Sequence, residues 1–285
     1  MNNILVTGAN GQLGSEIKSL SNQFEGYRFY FCNRDNLDIT NKPVVEKYII
    51  ENDIHIIINC AAYTAVDNAE DNLKTADLIN HVAVANIGEI SKKLQLKLIH
   101  ISTDYVFDGT HHIPYTENDK TMPIGVYGKT KHKGENALLE LKLANSIIIR
   151  TAWLYSSFGN NFVKTMLRLA NERDNLGIIN DQIGSPTYAK HLAQTILEIL
   201  PKLKNKNTEI FHYTNEGICS WYDFSKAIFD IKNIDCTVNP IPTTAYPTKA
   251  KRPYYSVLNK QKIKETYNIQ IPYWKDALKE CLDKL

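Results

Sequence analysis

Three polar residues, Thr103, Tyr127 and Lys131, have types and a spacing suited to the reduction of a carbonyl group. Tyr127 and Lys131 stand four residues apart in VYGKTKHKGE, so both side chains lie on one face of a helix that begins there. Reduction needs a bound hydride donor and a general acid for the carbonyl oxygen. Tyr127 is the candidate acid, and a nearby Lys131 ammonium is expected to lower its pKa. Thr103 is expected to hydrogen-bond the substrate oxygen; the alternative is a solvated helix face beside an ordinary strand end.

A second pair with the same spacing, Tyr222 and Lys226, stands in WYDFSKAIFD, which has the pattern of an amphipathic helix far along the chain. The surrounding sequence favours Tyr127 instead. Upstream of it, LIHISTDYVFDG contains an apolar strand that ends at Ser102 and Thr103. Ligands bind at the carboxyl edge of an open α/β sheet, which is where these two hydroxyls emerge.

A glycine-rich stretch, NILVTGANGQLG, places Gly8, Gly11 and Gly14 directly after a short apolar run. A strand that ends at Thr7 and a helix that begins near Leu13 leave free backbone N–H groups at the helix N-terminus, where a pyrophosphate can bind. Glycine is required because a Cβ atom would block the turn or hold the phosphate away. The pattern predicts a dinucleotide site; the alternative is a tight turn without a ligand.

The residues at the end of the second predicted strand bear on which dinucleotide binds. An acidic residue about 20 positions after the glycine loop binds the ribose hydroxyls of NAD, whereas an arginine there suits the 2′-phosphate of NADP. Asn33, Arg34 and Asp35 occupy this place, so an acidic residue typical of NAD sites and an arginine typical of NADP sites are both present. We favour NADPH because of Arg34, and we expect NADH to be accepted as well.

Strands and helices alternate in the pattern of a doubly wound α/β fold. Short apolar runs rich in Ile and Val are separated by helix-length segments and occupy residues 4–7, 28–32, 54–60, 96–102 and 146–151. Continuous apolar runs predict a Rossmann-like parallel sheet covered on both faces. Between the second and third runs, Thr40 or Asn41 can cap a helix that has Pro43 in its first turn.

The pattern changes after residue 150, where Tyr and Pro become frequent. We therefore expect a dinucleotide-binding domain at 1–150. Residues 151–285 are predicted to form mainly a smaller, less regular substrate-binding lobe, with some segments returning to the first domain.

The composition argues against several other classes of protein. The 285 residues carry 33 basic and 31 acidic side chains, a net charge of only +2, so no basic face for nucleic acid is expected. Five cysteines without a C-x-x-C pair indicate reduced thiols and a cytoplasmic protein. We recognise no leader peptide and no apolar run of about 18 residues, so we expect no membrane span. We also recognise no metal-binding motif, so we expect no metal site.

Three motifs in order resemble the extended short-chain dehydrogenase/reductase superfamily: the glycine loop, a Thr after a central strand, and Tyr-x-x-x-Lys. Further stretches are similar to its dTDP-4-dehydrorhamnose reductase branch and extend from residue 7 to residue 258: TGANGQLG, LDIT, CAAYTAVDNAE, STDYVFDG, YGKTKHKGE, RTAWLY, GNNFVKTM, DQIGSPTY and RPYYSVL. The resemblance implies reduction of the 4-keto group of dTDP-4-dehydro-L-rhamnose by NADPH or NADH, which gives dTDP-L-rhamnose.

The resemblance also implies contacts to the two ligands. Lys131 would hold the nicotinamide ribose. On the substrate side, Trp153 would form an aromatic wall and Arg252 would donate to the diphosphate, beside Asp104 and Tyr105. The simpler interpretations are a tryptophan packed in a core and a basic surface loop.

The implied cofactor contacts follow the first strands of the chain. They comprise the phosphate loop, the adenine site and the ribose site, with Tyr127 and Lys131 at the nicotinamide: Gly8, Asn10, Gly11, Gln12, Leu13, Gly14, Arg34, Asp38, Ile39, Ala61, Ala62 and Tyr63. Asp38 is equally well interpreted as a turn residue before the helix that follows.

Two other functions are alternatives. A sugar-nucleotide epimerase or dehydratase of the same superfamily would hold NAD tightly and return the hydride to its own substrate. A regulatory subunit would keep the fold without catalysis, which the presence of all three candidate catalytic residues disfavours. Some members of the family dimerise through magnesium held by glutamates, but WKDALKECLDKL contains only Glu280. We therefore expect a monomer or a homodimer and assign no magnesium ligands.

Overall fold

A central sheet and a smaller second lobe make up the computed structural model, which describes residues 1–285. The strands are β1 (Asn2–Thr7), β2 (Tyr27–Cys32), β3 (Ile54–Asn59), β4 (Lys97–Thr103), β5 (Ser146–Thr151), β6 (Leu154–Tyr155), β7 (Asn175–Ile179), β8 (Ile183–Gly184), β9 (Thr187–Tyr188), β10 (Glu209–His212), β11 (Cys219–Ser220) and β12 (Thr237–Ile241). The α-helices are α1 (Gln12–Leu20), α2 (Lys42–Glu51), α3 (Val66–Asp71), α4 (Leu73–Asp77), α5 (Ala83–Leu94), α6 (Val126–Leu141), α7 (Phe162–Ala170), α8 (Ala189–Ile199), α9 (Trp221–Lys232), α10 (Gln261–Tyr267) and α11 (Trp274–Leu282).

All neighbouring strands of the six-stranded central sheet run parallel, in the order β2-β1-β3-β4-β5-β10. The chain builds outward from β1 to one edge at β2, then returns past β1 to build the other half from β3. The predicted doubly wound parallel sheet is confirmed. Its first five strands coincide with the five apolar runs to within two residues at either end. The sixth, β10, is not among the predicted strands.

Strand residues alternate between two covered faces of this sheet. Ile4 and Ile58 pack with α1 and α8 on one face. Leu5 and Ile57 pack with α2 and α5 on the other. Because both faces are buried, the middle of each strand is mostly apolar on both sides, and this explains why the runs are continuous rather than alternating.

Residues after 150 contribute to the central sheet as well as to the second lobe. β10 pairs with β5, and α8 packs against α1 over one face of the sheet. The second lobe has three two-stranded sheets, formed by β6 with β9, β7 with β12 and β8 with β11. Helices α7, α9 and α11 cover them around a core that includes Tyr155, Phe224 and Trp274. This lobe is less regular than the first.

The start of α2 is fixed by one of the two predicted caps. The side chain of Asn41 accepts a hydrogen bond from the backbone N–H of Val44 at 3.4 Å, and Pro43 lies in the first turn. Thr40 takes no part in the cap, since its hydroxyl donates to Asp38 at 2.7 Å.

The helix that runs from α4 to α5 contains a π-helical turn at Leu78–Val82. Turns of this kind are rare and occur often at functional sites. Here the turn carries Asn80, whose side chain accepts from the N–H of Tyr63 at 2.9 Å and donates to its carbonyl at 3.1 Å. Asn80 thereby holds the loop that follows β3 in place.

Candidate active site

A cavity of about 840 Å³ opens at the carboxyl ends of β1, β3 and β4 and extends to the segment that begins the second lobe. The two halves of the sheet diverge between β1 and β3, and a doubly wound sheet binds its ligands in the crevice at such a point. The cavity is therefore the candidate active site.

The loop between β1 and α1 requires glycine at two places. Gly8 has a positive φ of 65°, and a Cβ atom there would lie 2.7 Å from the backbone nitrogen of Ala61. A Cβ atom on Gly14 would lie 2.5 Å from the carbonyl oxygen of Gly8. Real Cβ contacts are never this short, so the glycines allow the loop to pack against both the next strand and its own helix.

The N-terminus of α1 faces the cavity with its first backbone N–H groups free of side-chain caps. Gly11 precedes the helix and provides no capping side chain, and the first turn contains no acidic residue. The first N–H groups of a helix have no partner within it, and its dipole favours negative charge there. The N–H groups that begin at Gln12 thus form a cradle for a phosphate or pyrophosphate.

The side chains of α1 tie this cradle to the second lobe. Gln12 donates to the carbonyl of Leu154 at 3.3 Å and accepts from the amide of Asn161 at 3.0 Å. One turn further on, the buried carboxylate of Glu16 accepts from the hydroxyl of Ser156 at 2.6 Å. The position of the phosphate loop is therefore coupled to that of the segment at 154–161.

Two charged residues that follow β2 line the cavity: an arginine without an ion-pair partner and an aspartate that is hydrogen-bonded to its neighbour. Arg34 lines the cavity and is exposed. Asp38 also lines it, but its carboxylate accepts from the N–H of Thr40 at 3.0 Å and from the hydroxyl of the same residue. These bonds hold the pKa of Asp38 below its usual value. Asp38 therefore acts as a turn residue as well as a lining residue.

Tyr127, on the first turn of α6, is enclosed beside Thr103. Burial raises the pKa of Tyr127 to about 12, the nearby hydroxyl of Thr103 lowers it, and the charge of Asp104 raises it. The pKa of Tyr127 is therefore raised and not lowered as expected, because removal of the phenol from water is the largest effect. Tyr127 is thus a neutral phenol that still holds its proton.

Lys131 lies one turn further along α6 and is only 1% exposed. Its Nζ atom donates to the carbonyl of Ile101 at 2.6 Å and lies 3.3 Å from Nε2 of His100. Burial lowers the pKa of Lys131 to about 8, against the opposing charge of Glu135 and the nearby thiol of Cys60. An amine in this environment can gain or lose a proton near neutral pH.

Contacts from outside α6 set the direction in which the helix enters the site. Glu70 on α3 accepts from the N–H of Val126 at 2.8 Å, which places a carboxylate at the positive end of the helix. A Cβ atom on Gly128 would lie 2.2 Å from the carbonyl oxygen of Tyr105, so the helix packs directly on that backbone. The rings of Tyr105 and Tyr127 meet edge to face, 5.5 Å apart.

Trp153 forms the wall of the cavity on the side of the second lobe. Its φ of 48° is unusual for a residue with a side chain, and such strain often occurs at functional sites. Trp221 stacks on the indole with 3.5 Å between ring centroids. Beneath it, a Cβ atom on Gly184 would lie 2.7 Å from the ring. Trp153 is thus held between two neighbours with one edge in the cavity.

The structure places seventeen of the nineteen residues predicted for the site on the wall of this cavity. The seventeen include all three predicted catalytic residues. The full set is Gly8, Asn10, Gly11, Gln12, Leu13, Gly14, Arg34, Asp38, Ile39, Ala61, Ala62, Thr103, Asp104, Tyr105, Tyr127, Lys131 and Trp153. The second Tyr-x-x-x-Lys pair, Tyr222 and Lys226, lies on α9 and does not line it.

The remaining two predicted site residues, Tyr63 and Arg252, are not on the cavity wall. The backbone of Tyr63 is bonded to Asn80. Arg252 donates to both carboxylate oxygens of Asp67, at 3.1 and 2.6 Å, and to the carbonyl of Ala250. Its guanidinium is therefore already engaged by a carboxylate.

Several lining residues were absent from the prediction. Asn160 and Asn161 line the wall on the side of the second lobe, Cys60 directly follows β3, and Thr151 is the last residue of β5. The stretch GNNFVKTM contains the two asparagines, so its resemblance to the family was the available signal. The contact of Asn161 with Gln12 joins residues 149 positions apart and is invisible in either local motif.

The structure offers no group of three or more His, Cys, Asp or Glu side chains that could hold a metal ion. Both oxygens of Glu280, the glutamate near the C-terminus, are engaged: Lys190 bonds one at 2.5 Å and His191 the other at 2.8 Å. The residues present do not fit a glutamate-held magnesium ion. None of the helices is both long and apolar enough to span a lipid bilayer.

Comparison with known proteins gives a consistent result. The model of the RmlD substrate binding domain family matches residues 1–285. A dTDP-4-dehydrorhamnose reductase from Aggregatibacter actinomycetemcomitans is 43% identical over 98% of both chains. The crystal structure of a dTDP-4-dehydrorhamnose reductase from Clostridium acetobutylicum has a TM-score of 0.93 and 42% identity, covering 99% of this chain and 98% of that one. That of the Bacillus anthracis reductase, solved in complex with NADP, has a TM-score of 0.95 and 38% identity over the whole of both chains.

Proposed function

The chain belongs to the RmlD substrate binding domain family, and from this and the geometry of the site we propose that it is a dTDP-4-dehydrorhamnose reductase. It transfers a hydride from NADPH to the 4-keto group of dTDP-4-dehydro-L-rhamnose and releases dTDP-L-rhamnose. NADH serves as a second, weaker donor.

The observation that carries this proposal is the convergence of Thr103, Tyr127 and Lys131 on the same cavity as the glycine loop. These residues come from a strand end and a helix that are separate in the sequence. A general acid and a dinucleotide cradle in one cavity are the two things that a carbonyl reduction requires.

The residues at the N-terminus of α1 fit the pyrophosphate of a dinucleotide. The cradle has uncapped N–H groups and no acidic residue in its first turn, and the glycines at 8 and 14 let the backbone approach closely. Arg34, exposed at the adenosine end of the cavity, would meet the 2′-phosphate of NADP. When bound, NADPH supplies the hydride.

Tyr127 supplies the proton. Because its pKa is raised, the phenol stays neutral at working pH and can donate to the carbonyl oxygen as negative charge develops there. Thr103 lies beside the phenol and would orient the same oxygen once its hydroxyl proton turns away from the carboxylate of Asp104, to which it donates at 3.0 Å. The Lys131 ammonium then stabilises the phenolate that remains and can return a proton to it, since its own pKa lies at about 8.

We assign cofactor binding to residues 1–150 and substrate binding mainly to residues 151–285. Trp153 supports this division, since its indole enters the cavity from the second lobe. Contact of Arg252 with the substrate diphosphate would require its bonds to Asp67 to exchange or to be shared. Five free cysteines, four of them buried, agree with a cytoplasmic location, and we propose a monomer or a homodimer.

The experiment that tests the function is a coupled measurement of absorbance at the NADPH band and of the sugar product. We expect the absorbance to fall only when dTDP-4-dehydro-L-rhamnose is present, with one product formed per NADPH consumed. A changed sugar with constant absorbance would instead indicate an epimerase or dehydratase that recycles its own cofactor. Binding of NADPH without any reaction would indicate a regulatory subunit.

A further inference from the structure

Three polar side chains, those of Thr7, Asn59 and His100, lie side by side on three adjacent inner strands of the central sheet. Thr7 on β1 is the register partner of Asn59 on β3, and Asn59 is the partner of His100 on β4. None is more than 1% exposed. Buried polar groups cost stability unless they are hydrogen-bonded, so a row of three in an apolar sheet requires an explanation.

The row ends at a residue of the active site. Nε2 of His100 lies 3.3 Å from Nζ of Lys131, which reaches back from α6 to the sheet. At its other end, the hydroxyl oxygen of Thr7 accepts from the backbone N–H of Ala61 at 3.4 Å. The row therefore passes under the cofactor side of the cavity.

The hydrogen bonds along the row have a direction. The hydroxyl of Thr7 donates to Oδ1 of Asn59 at 2.7 Å. Oδ1 is the only acceptor that the Thr7 hydroxyl has. A hydroxyl has one proton to give, so Oδ1 is fixed toward Thr7 and the NH₂ group of Asn59 faces Nδ1 of His100, 3.1 Å away. Nδ1 must accept that bond, and the single proton of the neutral imidazole is then on Nε2.

We propose that the Thr7–Asn59–His100 row is a positioning device that holds His100 as its Nε2–H tautomer and so directs a hydrogen-bond donor at Lys131. A neutral amine can accept such a bond, whereas an ammonium has only donors and cannot. His100 thus favours the amine form of Lys131. This inference rests on the proposed function, in which Lys131 exchanges protons with Tyr127.

The other groups that face Lys131 act in different directions. Glu135, one turn along the same helix, and Cys60, from the loop after β3, favour the ammonium. The carbonyl of Ile101 on β4 accepts one of its protons in either form. Tyr127 on the same helix is neutral. His100 is therefore the polar neighbour that opposes the ammonium, together with burial itself.

The row shifts the balance between the amine and the ammonium form of Lys131, and it does not conduct protons to solvent. It ends at a backbone N–H, which does not titrate, and none of its members reaches the surface. His100 stays neutral, since burial and the charge of Lys131 hold its pKa well below the usual value. The row can thus keep its polarity through the catalytic cycle.

The first test is the tautomer of His100 in the unliganded full-length protein, by NMR with ¹⁵N-labelled histidine. The resonances of His100 are identified by their absence in His100→Gln. We expect a neutral ring with its proton on Nε2 across the neutral pH range. A ring protonated on Nδ1, or on both nitrogens, overturns the proposal. Since no substrate is involved, this result is independent of whether the chain proves to be a reductase.

The second test reverses the direction of the hydrogen bonds in the row by a substitution at Thr7, the residue farthest from Lys131. Thr7→Val removes the hydroxyl at similar size, which frees Asn59 to turn Oδ1 toward His100 and moves the imidazole proton to Nδ1. Nε2 then accepts from the Lys131 ammonium. We expect the high-pH limb of the kcat/KM profile, where that ammonium is lost, to move upward by about one pH unit.

Thr195→Val, at a buried threonine on α8, is the matched control and is expected to change neither the tautomer nor the profile. A folded Thr7→Val protein with the wild-type tautomer and an unmoved limb overturns the proposal. If Thr7→Val does not fold, the tautomer of the wild-type protein still decides. If no variant reduces the sugar nucleotide, the proposed function fails, whereas the tautomer measurement still tests the row.

Discussion

The hydroxyl of Thr103 donates to Oδ1 of Asp104 at 3.0 Å, while Oδ2 of the same carboxylate is buried without a partner. One oxygen of this acid is thus satisfied and the other is removed from water. Burial raises the pKa of Asp104 to about 6, above the value of 3.8 expected in the unfolded chain. The candidate active site therefore contains a carboxylate whose ionisation opposes folding.

Asp104→Asn should stabilise the protein at neutral pH. Because the pKa of Asp104 is higher in the folded protein than in the unfolded chain, the neutral acid favours folding. This contribution to the free energy of unfolding is complete below the unfolded pKa and is lost as pH rises through about 6. Asparagine avoids this loss, so its free energy of unfolding should exceed that of the wild type at pH 7 by up to about 3 kcal/mol. Urea denaturation at several pH values measures the difference, which should vanish in acid. A difference that is the same at every pH would contradict the argument.

Tyr127→Phe should lower kcat by about 100-fold or more, because it removes the proposed proton donor, which would act in the transition state. The affinity for NADPH should change little. Tyr222→Phe is the matched control, since it alters the other tyrosine that stands four residues before a lysine and lies away from the cavity. Steady-state kinetics on both variants makes the comparison, and unchanged turnover in Tyr127→Phe would show that another group is the acid.

Gly11→Val should abolish NADPH binding while the chain still folds. A Cβ atom at this glycine meets only the carbonyl oxygen of Gly8, at 3.2 Å, so the fold can adjust around it. The two further methyl groups would then stand in the phosphate cradle. Calorimetric titration with NADPH measures the loss. Gly177→Val, at an exposed strand position, controls for the effect of valine itself, and tight binding by folded Gly11→Val would exclude the cradle.

Glu135→Gln should destabilise the protein by about 3–5 kcal/mol, because it leaves the buried guanidinium of Arg150 without its counter-charge. The two side chains form paired bonds of 2.9 and 2.7 Å and are almost completely buried. Glu172→Gln breaks an exposed pair with Arg168 and should cost less than about 1 kcal/mol. Thermal and urea unfolding compare the two, and equal losses would show that burial of the first pair does not matter.

Most of the central sheet is predictable from the sequence because its strands are covered on both faces and so leave continuous apolar runs. β10 is the exception. Its four residues, EIFH, include a charged and a titratable side chain, and they form a strand because β5 offers an edge to pair with. Such pairing depends on residues about 60 positions away and leaves no periodicity in the segment itself.

The cavity wall is largely predictable because the motifs that carry it are continuous in sequence. The side chain of Arg252 is not, since its direction is set by Asp67, 185 residues earlier. The Thr7–Asn59–His100 row is hidden for a related reason. Each of its members directly follows a buried apolar residue in its strand, and only the register of the three strands shows that they meet.

The stacked indoles of Trp153 and Trp221 give the protein an intrinsic optical reporter. One ring borders the cavity and the other backs it at 3.5 Å, while the third tryptophan, Trp274, lies in the core of the second lobe. A dihydronicotinamide absorbs light in the range in which indole emits, so its arrival beside Trp153 should quench fluorescence by energy transfer. Loading of the cavity can thus be followed in the unlabelled protein, separately from turnover.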